Sequence, residues 1–91
     1  MNNDFKTQLI INHQNGLHLR VAAEVVNICK KGRSQVSISC RGCEEADGCS
    51  VLSLLTLAAK KGDKLTITAK GEDAKEVIER ISEFFSNGTG I

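Results

Sequence analysis

Positions 5–12 alternate, with Phe5, Thr7, Leu9 and Ile11 on one face and Lys6, Gln8 and Ile10 on the other, the period of a half-buried strand. The turn dipeptide Asn15-Gly16 ends it. Apolar spacing then changes to three and four: Leu19, Ala22, Ala23, Val26 and Cys29, widened by Val25 and Ile28, predict a helix over 19–31 with one buried stripe. Lys30 and Lys31 suit its negative end, and Gly32 the residue just past it. Alternation returns over 35–41, with Val36, Ile38 and Cys40 inward and Ser37, Ser39 and Arg41 outward. Arg41-Gly42 reads as a hairpin turn into a short polar strand within 43–47. Ser50 is placed to cap a helix over 51–59 that is apolar around most of its circumference. A small protein cannot bury all of it, so part of Val51, Leu52, Leu54 and Leu55 is expected at the surface, facing a partner. After the turn Lys60-Lys61-Gly62-Asp63, Lys64–Lys70 is the clearest strand, with Leu65, Ile67 and Ala69 on one face. Asp73 with Glu76 resembles a capping box. Ala74, Val77, Ile78, Ile81, Phe84 and Phe85 then form the stripe of a last helix that Asn87-Gly88 ends.

The order β-α-β-β-α-β-α, with a short link between the second and third strands, calls for antiparallel pairing. Three helices can cover one face of such a four-stranded sheet, an α+β two-layer domain spanning residues 1–91. The 12 basic and 11 acidic side chains leave a net charge of +1, too little for a global field toward nucleic acid or an anionic membrane. Trp and Tyr are absent and Phe occurs three times, which argues against a base-stacking sheet. No basic-apolar leader is visible at the N-terminus and no run approaches the roughly 20 apolar residues of a membrane span, so a cytoplasmic address is expected. There the four cysteines would stay reduced.

Two groups of residues carry candidate chemistry. His18 falls where the first helix begins, at the end whose N–H groups and dipole favour negative charge. Arg20 adds a fixed cation suited to oxygen anions, so His18 is a plausible carrier of a phosphoryl group on nitrogen. Cys40 and Cys43 have the spacing of half a zinc site, with Cys49 as a third ligand and Cys29 or His13 as the fourth. Structural thiols are the simpler reading, because only one such pair exists. A non-catalytic metal-binding module using Cys40, Cys43 and Cys49 stands as the alternative from another class.

Gly16-Leu17-His18-Leu19-Arg20-Val21-Ala22 resembles the active-site signature Gly-Leu-His-Ala-Arg-Pro-Ala of HPr, the histidine phosphocarrier of the phosphoenolpyruvate-dependent sugar phosphotransferase system, at five of seven positions. Ser50 to Leu57 resembles that family's serine-headed second helix, and Gly71-Glu72-Asp73 its approach to the last helix. The resemblance implies an open-faced β-sandwich and a monomeric relay protein without a substrate pocket or cofactor. By it, His18 accepts a phosphoryl group from enzyme I and passes it to an enzyme IIA-type domain, with Arg20 stabilising the phosphate. It further implies that Ser50 is a regulatory site for an HPr kinase/phosphorylase. Leu19, Val51, Leu52 and Leu55 would contact partners, and Lys30 would steer acidic ones. Val21 and Leu19 depart from the family's Pro and Ala, which fits a regulatory paralogue in a nitrogen-type phosphotransferase chain as well as a sugar carrier.

Overall fold

The computed structural model describes residues 4–40 and 45–86. Seven elements follow in the predicted order: β1 (Asp4–Ile10), α1 (Leu19–Lys31), β2 (Gln35–Cys40), β3 (Ala46–Asp47), α2 (Val51–Thr56), β4 (Lys64–Lys70) and α3 (Ala74–Ser86). The strands form one sheet of order β1-β4-β2-β3, antiparallel at every pairing. The expected hairpin turn at Arg41-Gly42 lies outside the described residues.

Register explains which strand face is buried. Leu9 pairs with Leu65, Thr7 with Ile67 and Phe5 with Ala69, while Ile38 pairs with Ile67 and Val36 with Ala69. Directly opposed residues share a face. Leu65, Ile67, Ala69, Ile38 and Val36 are therefore all buried on the side covered by the helices. Phe5 shares that face, yet at the sheet's edge it stays 43 % exposed. The other face presents Lys6, Gln8 and Ile10 on β1 and Thr66 and Thr68 on β4, outside the helical layer.

Three sequence expectations change in detail. The buried stripe of α1 is Val21, Ala22, Val25, Val26 and Cys29, whereas Leu19 is 63 % exposed and Ala23 lies on the outer side. At about 100° per residue Ala23 turns away from the centre of the stripe and Leu19 falls at its margin. A first-turn side chain also leans back past the helix end rather than over the core. The second helix stops at Thr56 instead of running to Ala59. Ala58 takes a φ of 50°, which reverses the chain so that the buried Ala59 turns its carbonyl to the N–H of Leu17 at 3.0 Å. The capping box at α3 does not form. Asp73 accepts instead from the backbone N–H of Arg33 at 2.8 Å and from the hydroxyl of Ser34, and Glu76 pairs with Arg80 at 3.0 Å. The Ser34 and Arg33 bonds hold the Asp73 carboxyl below the usual carboxylate range.

Gly32 does follow α1, but in extended backbone rather than a left-handed turn. Its place is set by proximity, since a Cβ there would meet Val77 Cγ2 at 2.7 Å and Asp73 Oδ2 at 3.0 Å. The tie from Asp73 to Arg33 and Ser34 thus brings α3 against the end of α1.

Candidate functional site

The loop from Ile11 to His18 is fixed by backbone bonds to the turn that precedes β4. Ile11 donates to the Asp63 carbonyl at 3.0 Å and accepts from Gly62 at 2.8 Å, while Leu17 donates to Ala59. Gly16 is required here: its φ is 69°, and a Cβ would lie 2.4 Å from the Ala59 carbonyl oxygen. The N–H of Gly16 donates to the His13 carbonyl at 3.0 Å, and that of His18 to the Gly16 carbonyl at 2.9 Å. The chain thus reaches α1 in one defined conformation, with Leu17 buried beneath it.

His18 is the N-cap of α1, with extended backbone at φ −87° and ψ 178°. Its carbonyl accepts the first helical bond, from Ala22 at 2.9 Å. The N–H groups of Leu19, Arg20 and Val21 therefore precede the helical ladder. That of Arg20 turns to His18 Nδ1 at 3.3 Å. As an acceptor, Nδ1 carries the lone pair, and in the neutral ring the proton sits on Nε2. This nitrogen thus points at the positive end of the helix dipole, where an added anion would meet backbone N–H groups. The ring itself is half-buried and the Arg20 side chain is exposed beside it. Val21, where the family signature has Pro, is fully buried and lies within the turn whose N–H groups need no helical partner.

One residue that the sequence offered only as a possible fourth metal ligand completes the surroundings. His13 is only 3 % exposed, its ring centroid 6.4 Å from that of His18 and nearly perpendicular to it at 81°. It stacks on Phe84 at 6.1 Å and meets the edge of Phe85 at 6.2 Å. Burial, and then the neighbouring His18, hold its pKa below the ordinary histidine value. The available signal was a histidine five residues before His18, together with an aromatic pair ending the last apolar stripe.

The remaining candidates spread along α1 and α2, which pack side by side. Ser50 caps α2 as expected, its hydroxyl accepting from Ser53 N–H at 3.2 Å. Leu52 is 77 % exposed, Val51 and Leu55 are half-buried, and Leu54 is in the core. Leu19 is exposed next to His18. Lys30 is exposed at the far end of α1, roughly 18 Å along the axis from His18 at 1.5 Å per residue. The cysteines do not gather. Cys40 is buried at one end of β2, with Sγ 3.8 Å from Asp63 Oδ2. Cys49 follows Gly48, whose N–H bonds Val36 at the other end of that strand. Cys49 is instead hydrogen-bonded to Cys29, whose thiol is pushed up to about 12 by burial and then by Cys49 and Asp47. Cys43 lies outside the described residues, and among those described no three His, Cys, Asp or Glu side chains are grouped to hold a metal ion.

A sheet backed by helices, with a histidine capping the first of them, defines a known class of protein. The family model for the PTS HPr component phosphorylation site matches residues 5–87. The phosphocarrier protein HPr of Buchnera aphidicola is 37 % identical over 78 residues, covering 86 % of this chain and 91 % of its own. A multiphosphoryl transfer protein of Haemophilus influenzae is 34 % identical over 82 residues, 88 % of this chain and 16 % of its own. The chain thus spans 16–23 % of the multiphosphoryl transfer proteins it matches, against about nine-tenths of the Buchnera phosphocarrier. The crystal structure of a phosphocarrier protein HPr from Bacillus anthracis superposes with a TM-score of 0.85 at 26 % identity, covering 92 % of this chain and 99 % of that one. The chain belongs to the HPr phosphocarrier family. Its open-faced α+β sandwich is the fold of that family's solved structures. Among the described residues, no helix is long and apolar enough to cross a membrane.

Proposed function

We propose that this chain carries a phosphoryl group on Nδ1 of His18, received from an enzyme I-type donor and passed to an enzyme IIA-type acceptor. The observation that carries this reading is the contact between His18 Nδ1 and the backbone N–H of Arg20 at the start of α1. In the neutral ring the Nδ1 lone pair attacks phosphorus, and the donor–phosphorus bond breaks with its electrons going to the donor. The phosphate then replaces the lone pair as acceptor for the helix N–H groups, and the exposed Arg20 guanidinium can close over it. Such chemistry needs positioning and charge stabilisation more than a pocket. Incubation with enzyme I and phosphoenolpyruvate should yield one acid-labile, base-stable phosphate that His18→Ala abolishes. A wild-type chain left unlabelled while a control HPr is labelled would overturn the assignment.

The exposed Leu19 supports a second reading of the destination, a regulatory acceptor in a nitrogen-type chain rather than a sugar-specific one. Leu19 enlarges the surface beside His18 and adds apolar area that a partner can cover. Rates of transfer to acceptors of the two types separate these destinations. Restoration of sugar-type transfer by Leu19→Ala would favour the regulatory one.

A further inference from the structure

The carrier role leaves one ring of the site without a task. We propose that His13 is the proton partner of phosphorylated His18, a second imidazole that takes up a proton from solvent as the phosphoryl dianion forms and releases it as the group departs. The inference rests on the carrier reading above. Its basis is geometric: the two rings are 6.4 Å apart, with His13 buried between His18 and the aromatic pair Phe84–Phe85.

Before transfer, burial and then the neighbouring His18 hold the His13 pKa below the ordinary histidine value, so His13 starts in its neutral form near neutral pH. Transfer reverses that balance. The N–P bond adds a phosphoryl group of about two negative charges, and the ring, substituted on Nδ1 and still protonated on Nε2, carries one positive charge, so the His18 side chain passes from neutral to a net charge of about −1. The ring that would bear this group has its centroid 6.4 Å from that of His13, inside the Debye length of about 8 Å at physiological salt. The face of Phe84, at 6.1 Å and 28° to the His13 ring, also favours the protonated form. Other charges belong to the elements around this ring: Arg20 on α1, Glu83 on α3, and Lys60, Lys61 and Asp63 in the turn before β4. Asp63 accepts from the Lys60 backbone N–H at 2.8 Å. These groups are present before and after transfer, and only Arg20, closing over the phosphate, offsets part of the added charge.

Between the two His13 midpoints, phosphorylation takes up one proton, and acid then favours the loaded carrier by about tenfold per pH unit. Histidine-labelled wild-type protein, titrated by NMR before and after loading with enzyme I and phosphoenolpyruvate, tests this directly. The His13 midpoint should rise by roughly one pH unit or more on loading. The equilibrium with a IIA acceptor should lose the corresponding pH dependence in His13→Phe, which keeps a ring in the same space. A His13 midpoint unmoved in protein loaded on His18 would overturn the proton linkage alone. Absence of phosphohistidine in the wild type would overturn the carrier reading beneath it.

Discussion

At the two helix starts His18 and Ser50 each accept from a specific backbone N–H, which makes removal of either side chain measurable. Ser50 accepts the Ser53 N–H, so Ser50→Ala should destabilise the protein by about 1 kcal/mol in urea unfolding, with Ser50→Asp keeping the cap. The Asp variant also places a charge on the surface proposed for docking, and it should slow phosphoryl transfer more than the Ala variant does. His13 gives stability a pH dependence of known sign. Its pKa is lowered from 6.5 in the folded protein, so below that value the unfolded chain binds the proton more readily. Stability should therefore be greatest above pH 6.5 and fall as pH drops through the folded-state value. Denaturant midpoints measured across this range should show a shallower fall in His13→Phe. Asp73 has its own window further into acid: its contribution is present above pH 3.8 and lost as pH falls through its lowered pKa.

Elements were legible where periodicity and punctuation agreed. Both ends of α1 were readable because Asn15-Gly16 and Gly32 bracket a strong apolar stripe, and β4 because Leu65, Ile67 and Ala69 alternate without interruption. The end of α2 was not, since Leu57, Ala58 and Ala59 continue its apolar pattern and no local signal announces a left-handed Ala58. That reversal is imposed from a distance, by Leu17 bonding Ala59. A non-glycine residue in this conformation costs on the order of 1 kcal/mol. Ala58→Gly should accordingly raise stability by up to about 1 kcal/mol, read as a higher denaturant midpoint. The role of Asp73 was misread for a similar reason. Its capping pattern is local, but its partners Arg33 and Ser34 come from the segment between α1 and β2. His18 and Arg20 were visible as a motif, whereas His13 gained meaning only when the fold brought Phe84 and Phe85 beside it.

Across the whole molecule, the candidate residues occupy two ends of one surface. The C-terminal end of α1 meets the start of α2 through Cys29 and Cys49, and the chain leaving α2 returns to the start of α1 through Ala59 and Leu17. The two helices are thus antiparallel, with His18 at one end of the pair and Ser50 at the other. Leu52, at 77 % exposure, contributes little to the core, so Leu52→Asp should alter stability by no more than about 0.5 kcal/mol. If α2 docks against partners as proposed, the same substitution should weaken transfer at limiting acceptor and be rescued at high acceptor concentration. A groove on α3 edged by Glu76, Glu79, Arg80 and Glu83 includes no residue of the His18 loop.

The bond between Leu17 and Ala59, and the ring of His13 set against Phe84, join parts of the chain that are synthesised far apart in time. Contacts of such sequence separation are costly to form early, because the intervening loop must close first. His18 would therefore be made long before its surroundings exist. A growing chain would expose the motif without the pocketed His13 or the tethered loop. If His18 is the carrier as proposed, competence becomes a property of the finished fold.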